Sequence, residues 1–459
     1  MGKDGNSVKT LIIKNMKQIL FNTFPERERI CVSHYPLPFS SPAIETIHEL
    51  MNLDAPDSRH RRKAIYIHIP FCENICTFCP FNKYLKDDKL IMTFIQSLKK
   101  EIKLYSLTEF AKTSIFESIY LGGGTPSCLK SSEIIEIINS IYEHFCISED
   151  AMIFVEGNPI SFSYDKLVSL QKYGVNRISV GVQTFSPKLA KNLSLNNSPQ
   201  ASIQMINNAH SAGINNVGID LMYPLPGMTQ KDWLETVELS IKLKIEHICL
   251  IAFCVIPNSI ISHQINNGVI PEPSGKEEEI RMYLNAREML LNAGYIQYSI
   301  LDFCLPGKKD KHAEIYFSDQ GELLAFGPAA FGYINGYMYI NQGDIKEYIK
   351  SLDDGKKPII VGTLADKEEE MRGMMAKGLR MLSVSKEKFH SLFDDEICNV
   401  FPKQIQSLVD RNLIYETEET ISLTENGIIW GNNVCQEFFS ENCKKHSIER
   451  KKLARGKIS

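Results

Sequence analysis

The chain has 459 residues, of which 43% are hydrophobic and 23% are charged, and its formal net charge is −4. This length allows two or three domains with a large buried core. The nearly balanced charge gives no reason to expect nucleic acid as a partner, and no apolar run is long enough to span a membrane. The N-terminus lacks the apolar core of a secretory signal and the 12 cysteines are scattered, so a reduced, cytoplasmic protein is expected.

Residues 1–62 are predicted to form an N-terminal extension. An amphipathic helix is predicted over residues 7–20, and the extension has a polar and basic end at residues 57–63. We expect this extension to act as an accessory cover and not as a catalytic unit.

From residue 64 the sequence alternates between short β-branched runs and stretches with helical periodicity. The runs predict strands over 65–69, 118–121, 152–155, 177–182, 216–222 and 247–252, and the stretches between them predict helices over 86–105, 132–145, 164–173, 199–212, 230–243 and 275–293. Strand–helix units in series imply a parallel sheet with right-handed crossovers. The predicted fold is therefore α/β, a partial (β/α)6 TIM-like barrel over residues 63–300, with its site at the C-terminal ends of the strands.

Three cysteines follow the first predicted strand: Cys72, Cys76 and Cys79, with the spacing Cys-x3-Cys-x2-Cys. Three thiolates can hold three irons of a cubane [4Fe–4S] cluster, because such clusters prefer soft sulfur ligands. An ordinary cluster takes four cysteines, so three would leave one iron open to a small molecule. A zinc site is the alternative, but structural zinc usually has four ligands, and no fourth Cys or His follows at short spacing.

The alternation ends after about residue 300. Residues 301–360 are predicted to be a post-barrel segment that completes the site, and the aromatic run at 331–339 fits either a substrate wall or a strand. Residues 361–445 predict a small winged-helix-like domain, with helices over 368–382 and 402–410, β segments over 413–416 and 420–423, and a last helix that opens at 423–427. Residues 446–459 are expected to be a polar, solvated tail.

Small and polar residues lie where the next strands end. Gly122, Gly123, Gly124 and Thr125 follow the second strand, Glu156 ends the third, Gln183 ends the fourth, and Asp220 lies within the fifth. Three glycines let backbone amides approach a ligand closely. Buried carboxylates are rare without a partner, so Asp220 is either a ligand group or paired with a cation such as Arg177.

Together these motifs resemble the oxygen-independent coproporphyrinogen III dehydrogenase-like (HemN-like) branch of the radical S-adenosylmethionine (SAM) superfamily. The shared motifs are His-Ile-Pro-Phe-Cys-x3-Cys-x2-Cys, Gly-Gly-Gly-Thr-Pro-Ser, Glu-x-Asn-Pro, Asn-Arg-Ile-Ser-x-Gly-Val-Gln and Ile-Asp-Leu-Met-x-x-Leu-Pro, and the resemblance covers about residues 60–440. It implies a [4Fe–4S] cluster on the three cysteines, with one or two SAM molecules as further cofactor. Family positions around the cluster-bound SAM correspond here to Tyr66, Gly123, Gly124, Glu156, Gln183 and Asp220, and Gly122 and Thr125 belong to the same glycine motif.

The sequence also departs from the family pattern. Pro80-Phe81 stands where porphyrinogen dehydrogenases usually have Gly-Cys, Leu195 stands where the family commonly has an arginine, and His312-Ala-Glu-Ile-Tyr-Phe317 replaces a usual His-Asn-x-x-Tyr-Trp. These departures argue against a strict porphyrinogen dehydrogenase and also count against a haem chaperone. They leave the other members of the branch, among which are the class C radical SAM methyltransferases and the ring-opening haem-degrading relatives.

We therefore expect a radical SAM enzyme that uses a 5′-deoxyadenosyl radical for C-methyl or methylene transfer to an unsaturated small molecule. A reducing partner such as flavodoxin or ferredoxin would supply the electron. Two alternatives stay open. One is the oxidative decarboxylation of a porphyrinogen or other tetrapyrrole chemistry, and the other is a non-catalytic haem-binding and trafficking protein on the same fold.

Overall fold

The first predicted strand, β1 (Lys63–Ile69), lies inside a 12-stranded sheet. The protein's structure is a computed structural model that describes residues 21–31, 33–38, 49, 51–52, 61–196 and 198–447. After β1, two short strands, β2 (Phe71–Cys72) and β3 (Tyr84–Leu85), pair with each other on either side of the cysteine loop. The predicted helix over 7–20 and residues 448–459 of the predicted tail lie outside the described residues.

The parallel core of the sheet follows the predicted strand–helix alternation. It contains β4 (Ile115–Gly123), β5 (Cys146–Gly157), β6 (Arg177–Gln183), β7 (Val217–Tyr223) and β8 (His247–Ala252), which lie next to β1 in chain order. Each neighbouring pair is parallel. The six predicted strands are confirmed, and the structure extends β4 and β5 by several residues.

The sheet contains further strands near and after residue 300, and among these only the run at 331–339 was considered as a strand from the sequence. The chain continues with β9 (Ile296–Gln297), β10 (Asp302–Cys304), β11 (Glu322–Phe326), β12 (Phe331–Ile334), β13 (Tyr337–Asn341) and β14 (Ile359–Leu364). The sheet order is β14-β13-β12-β11-β1-β4-β5-β6-β7-β8-β10-β9. Here β11 pairs parallel with β1, while β9, β10 and β12–β14 join antiparallel. The edge strands β14 and β9 do not pair with each other, so the sheet is open, which confirms the partial barrel. The aromatic run at 331–339 lies in the hairpin formed by β12 and β13.

Helices cover the parallel strands where the periodicity predicts them. Their bounds are Asp88–Ser106, Glu109–Lys112, Ser131–His144, Tyr164–Lys172, Pro187–Asn192, Pro199–Ser211, Gln230–Lys242, Ile260–Asn266 and Lys276–Asn292. Helix Asp88–Ser106 begins where the Asp87 carboxylate accepts hydrogen bonds from the N–H groups of Lys89 and Leu90. It buries Phe94 and Leu98, at the four-residue spacing that places side chains on one helical face.

The C-terminal part forms a small helical unit with its own sheet. Its helices are Lys367–Arg380, Lys386–Phe393, Ile397–Val400, Pro402–Asp410, Glu425–Ile429 and Gly431–Glu437. Three further helices lie before this unit: two follow β10, at Lys311–Ala313 and Glu314–Ser318, and one follows β13, at Ile345–Asp353. The strands β15 (Ser383–Ser385), β16 (Ile414–Glu416) and β17 (Thr420–Leu423) pair antiparallel in the order β15-β17-β16. This arrangement matches the winged-helix-like expectation, with β15 as the strand that sequence periodicity missed.

The described part of the N-terminal extension crosses between the barrel and the C-terminal unit. Arg27 and Arg29 both pair with the buried carboxylate of Glu279 in helix Lys276–Asn292. Arg27 Nε also donates to the carbonyl oxygen of Ile429 at 2.9 Å. Across the chain that the structure describes, none of the helices combines the length and apolar character needed to cross a membrane.

Candidate active site

The cysteine loop is held at the C-terminal end of β1 by main-chain and side-chain hydrogen bonds. In the β2–β3 pair Cys72 lies opposite Leu85, and the Lys86 N–H donates to the Cys72 carbonyl oxygen at 2.9 Å. Lys83 Nζ donates to the carbonyl oxygen of Cys79 at 2.8 Å. The loop is therefore closed at its base before any cofactor is considered.

One cavity brings most of the predicted site residues together. Its lining includes, besides other residues, Cys72, Cys76, Cys79, Gly123, Gly124, Thr125, Glu156, Gln183 and Asp220. The parallel strands all point their C-terminal ends to this side, which is the edge where such sheets place their sites. The Oε1 atom of Gln183 is buried without a hydrogen-bond partner in the described structure, so the cavity contains an unsatisfied acceptor.

Tyr66 and Gly122 lie next to the cavity but are not among the residues that line it. The Tyr66 hydroxyl is 3.1 Å from His68 Nδ1, and its ring packs edge-on against Tyr120 with centroids 5.2 Å apart. A Cβ at Gly122 would lie 2.9 Å from the Tyr120 ring and 3.0 Å from a Glu156 carboxylate oxygen. Both positions therefore support the residues behind the cavity wall.

The glycines after β4 are required by close packing. Gly123 adopts φ +112°, a backbone conformation that favours glycine, and a Cβ there would lie 2.7 Å from His68. A Cβ at Gly124 would lie 2.8 Å from the Phe71 carbonyl oxygen. The Gly124 N–H donates to the Ile69 carbonyl oxygen at 2.9 Å, so the glycine run is pressed against the start of the cysteine loop.

Glu156 is buried and receives hydrogen bonds from two groups on β4. The Tyr120 hydroxyl donates to Oε1, and the Gly123 N–H donates to Oε2 at 3.3 Å. Burial raises the pKa of Glu156, whereas these hydrogen bonds act in the opposite direction because they favour the charged carboxylate. Tyr120 was not predicted as a site residue. The sequence contains one indication of this role: side chains alternate along β4, so Tyr120 lies on the same face of the strand as Ser118 and Gly122.

Asp220 is a second acidic group on the cavity wall. Burial, with a smaller contribution from the nearby Glu156 carboxylate, raises the pKa of Asp220 to about 8. The alternative of a direct pair with Arg177 is not what the described contacts show. Arg177 donates to Asn216 Oδ1 at 2.7 Å and lies 3.8 Å from Asp310. Asp220 is thus available to a ligand in the cavity.

The donor set fits a cubane cluster better than a single metal ion. Among the residues described, no group of three His, Cys, Asp or Glu side chains is arranged to hold one metal ion. A cubane has a different requirement, because each cysteine binds its own iron atom. Burial raises the pKa of the Cys72 thiol, and burial with the neighbouring Cys79 and Cys72 raises the pKa of Cys76 to about 11. A bound iron–sulfur cluster would instead favour the deprotonated form of these thiols, because metal ligation requires thiolates.

Comparisons with known proteins identify the family of this chain. Residues 66–240 match the radical SAM superfamily, and residues 365–430 match the HemN C-terminal domain. The heme chaperone HemW of Bacillus subtilis is 31% identical over 383 residues, which cover 83% of this chain and 100% of that protein. The chain belongs to the HemN-like branch of the radical SAM superfamily. Membership of this family implies a [4Fe–4S] cluster and SAM as cofactors.

Two further HemN-like proteins cover most of the chain. The anaerobilin synthase of Escherichia coli O157:H7 is 24% identical over 395 residues, 85% of this chain and 86% of that protein. The solved structure of coproporphyrinogen III oxidase (HemN) from Escherichia coli has a TM-score of 0.77 at 23% identity and covers 88% of this chain and 96% of that one. The structural likeness confirms the fold. None of these three relatives supports the expected methyl transfer.

Proposed function

We propose that this HemN-like protein is a radical SAM enzyme whose substrate is a tetrapyrrole with carboxylate side chains. The observation that carries the proposal is that one cavity at the strand ends brings three cysteines together with Gly123, Gly124, Glu156, Gln183 and Asp220. The substrate class is supported by the names of the three relatives, which refer to haem, to a bilin-type product and to coproporphyrinogen.

The residues of the cavity divide into two proposed groups. Cys72, Cys76 and Cys79 would hold the cluster, which together with bound SAM would supply the radical chemistry that removes hydrogen from the substrate. Gly123, Gly124 and Thr125 form the wall proposed to receive the methionyl part of SAM, because glycines let a ligand approach the backbone closely, and Gly122 packs behind this wall. Glu156 and Gln183 accept hydrogen bonds from its ammonium or hydroxyl groups, which would satisfy the buried Oε1 of Gln183.

Tyr66 and Asp220 complete the proposed SAM environment. Tyr66 packs behind the cavity through His68 and Tyr120 and orients the wall. Asp220, whose pKa is raised to about 8, is mainly protonated at neutral pH and so can donate a hydrogen bond as well as accept one. The chain's own contribution is to position SAM, exclude water and aim the radical.

The predicted domain boundaries and partners belong to the same proposal. We retain an extension over 1–62, a radical SAM barrel over 63–300, a completing segment over 301–360, a C-terminal domain over 361–445 and a tail over 446–459. An electron is needed from outside, which a reducing partner such as flavodoxin or ferredoxin would supply. The number of SAM molecules is one for hydrogen abstraction alone and two for methyl transfer.

The test is an anaerobic assay of the reconstituted protein with dithionite and SAM. Haem, coproporphyrinogen III or no acceptor is added, and 5′-deoxyadenosine, S-adenosylhomocysteine and the modified tetrapyrrole are quantified by mass spectrometry. Formation of 5′-deoxyadenosine that depends on a tetrapyrrole supports the proposal. A parallel rise in S-adenosylhomocysteine would restore methyl transfer in place of simple hydrogen abstraction.

A haem carrier is the second candidate, and the full-length similarity to a heme chaperone favours it. The two candidates differ in turnover. A carrier binds haem and forms no 5′-deoxyadenosine above the level seen without haem, whereas the proposed enzyme consumes SAM in proportion to a changed tetrapyrrole.

A further inference from the structure

A large groove lies outside the cysteine cavity, on the β8 side of the parallel sheet. Its volume is about 1070 Å³, and its walls come from the loop after β8, from residues 26–30 and from the start of helix Lys276–Asn292. Phe78 of the cysteine cavity packs against Phe253 with ring centroids 6.2 Å apart, and these two rings separate the cavity from the groove. An occupant of the groove therefore does not reach the proposed cofactor residues.

The walls of the groove suit an occupant that is both apolar and positively charged. Val255, Ile256 and Pro273 supply apolar surface. The charged residues that line the groove are four carboxylates and three cations: Glu26, Glu28, Glu272 and Glu279 against Arg27, Arg29 and Lys276. Both arginines pair with Glu279, and Lys276 Nζ donates to a main-chain carbonyl oxygen at 2.9 Å, so the three cations are already engaged. The remaining carboxylates complement a cationic occupant.

The N-terminal part of the chain enters the described structure close to this groove. Phe21 and Asn22 are helical, and the Arg281 guanidinium lies over the Phe21 ring, 5.3 Å from its centroid. Arg281 is on the same helix as Lys276 of the groove wall, about 7.5 Å away along the helix axis. Residues 7–20, for which the sequence predicts an amphipathic helix, therefore precede a point that is one to two helical turns from the groove.

The sequence of residues 7–20 has the chemistry that the groove walls require. Val8, Ile12, Met16 and Ile19 recur at intervals of three and four residues, which is the spacing of one helical face. The same segment contains three lysines and no acidic residue. The groove is larger than the range of about 300–1,000 Å³ that is usual for ligand pockets, so it can accept the apolar side chains of several helical turns.

We propose that residues 7–20 form an amphipathic helix that docks in this groove of the same chain. Its apolar face packs on the apolar wall, its lysines face the carboxylates, and the docked helix holds residues 26–30 against the loop after β8. That loop leads into helix Ile260–Asn266, where the Ile261 N–H donates to the Thr77 carbonyl oxygen of the cysteine loop at 3.2 Å. The inference goes beyond the proposed function, because docking does not depend on which molecule the cysteine cavity binds.

Two pairs of matched variants of the full chain test the helix and the groove separately. Ile12→Asp places a charge on the apolar face, whereas Thr10→Asp places the same charge on the opposite face of the predicted helix. Gly275 lines the groove with φ −70°, and an added Cβ there would meet nothing within 4 Å. Gly275→Trp therefore fills the groove, whereas Gly275→Ala makes the same loss of glycine without the bulk.

The measurement is amide hydrogen exchange of the full-length protein, followed by mass spectrometry. We expect the amides of residues 8–20 to exchange at least about tenfold more slowly than in an isolated peptide of residues 1–20. Ile12→Asp and Gly275→Trp should both abolish this protection, whereas Thr10→Asp and Gly275→Ala should retain it. Exchange at the rate of the isolated peptide in the unchanged protein, or protection that Gly275→Trp leaves intact, would overturn the inference.

The same experiment identifies other occupants, each of which would also overturn the inference. Loss of protection on dilution would mean that residues 8–20 dock on a second copy of the chain. Protection that appears only with vesicles of anionic lipid would mean that the helix binds a membrane surface. Faster exchange of residues 448–459 in Gly275→Trp, with residues 8–20 unaffected, would assign the groove to the basic C-terminal tail.

Discussion

The Tyr120 hydroxyl donates a hydrogen bond to the buried carboxylate of Glu156, and this contact joins neighbouring strands β4 and β5 at the wall of the cysteine cavity. The Tyr120 ring stacks on Phe154 with centroids 4.3 Å apart and an interplanar angle of 9°. Tyr120 is therefore fixed by packing, and its hydroxyl stabilises the charged form of a carboxylate that burial disfavours.

Removing this hydroxyl should weaken SAM binding. In Tyr120→Phe the pKa of Glu156 rises further, because the lost hydrogen bond favoured the ionised form. Fewer molecules then carry an ionised Glu156 at neutral pH, so we expect SAM affinity to fall about tenfold and its pH profile to move to higher pH. Calorimetric titration with SAM at several pH values measures both effects.

Tyr105→Phe is the matched control for this substitution. The Tyr105 hydroxyl is buried and has no hydrogen-bond partner in the described structure, so its loss should leave SAM binding unchanged. An unchanged pH profile in Tyr120→Phe would show that Glu156 does not contact SAM through its charge.

Cys76→Ala should abolish cluster assembly, because only two thiolates would remain in the loop. We expect the reconstituted variant to lose most of its bound iron and sulfide and all SAM cleavage. Cys146→Ala is the control, since Cys146 is an exposed free thiol at the opposite end of β5 from Glu156. Metal analysis and visible absorption distinguish the two variants, and full iron content in Cys76→Ala would disprove the assignment of this ligand.

Gly124→Ala should distort the base of the cysteine loop. The new Cβ would lie 2.8 Å from the Phe71 carbonyl oxygen and 3.0 Å from that of Ile69, and neither backbone atom can move easily within the sheet. We expect a loss of about 1–3 kcal/mol in the free energy of unfolding, as for other overpacked sites, together with weaker SAM binding. Gly275→Ala, which meets no neighbour, should have a far smaller effect, and equal melting temperatures would refute the close-packing argument.

Glu101 predicts a pH-dependent contribution to stability. Its buried carboxylate accepts hydrogen bonds from the Gly327 N–H at 2.8 Å, Asn341 Nδ2 at 2.7 Å and the Tyr348 hydroxyl at 2.6 Å. Burial outweighs these contacts and raises its pKa from 4.5 to about 7. The folded state therefore holds the proton more tightly than the unfolded state, so this stability is full below about pH 4.5 and is lost as the pH rises through about 7.

Glu101→Gln should remove this dependence. Chemical denaturation at about pH 5 and about pH 8 should show a smaller difference in the free energy of unfolding for Glu101→Gln than for the unchanged protein. Glu143→Gln serves as the control, because that side chain is 75% exposed. The same pH difference in all three proteins would mean that Glu101 titrates normally.

The sequence was sufficient for the parallel core and the main groups of the site. Each of the six strands combined β-branched residues with a following helical period, and the cysteine spacing stood directly after the first of them. Strands β9–β11 and β14 were not predicted, and the aromatic run that forms β12 and β13 fitted either a substrate wall or a strand, because these segments do not repeat the strand–helix unit of the parallel core. In addition, β11 begins with the buried charged residue Glu322, which is unusual for a strand. Its partner is Lys63, which is distant in the sequence and whose Nζ lies 3.8 Å from Glu322 Oε2.

Long-range contacts also explain the site features that sequence could not provide. Tyr120 became part of the site only through its contact with Glu156 on the next strand. The alternative partner suggested for Asp220 was wrong in detail, because Arg177 points to Asn216 and Asp310 instead. The position of the N-terminal segment was likewise not predictable, because it depends on the pairs of Arg27 and Arg29 with Glu279, about 250 residues away.

The central claim is that this HemN-like protein performs radical chemistry on a tetrapyrrole. Its most direct test is the rate at which the reconstituted, reduced protein forms 5′-deoxyadenosine from SAM with and without haem or coproporphyrinogen III. We expect a rate that rises with tetrapyrrole concentration, saturates, and disappears in Cys76→Ala. A tetrapyrrole that binds tightly but leaves the rate at its tetrapyrrole-free level would contradict the account and favour the haem carrier.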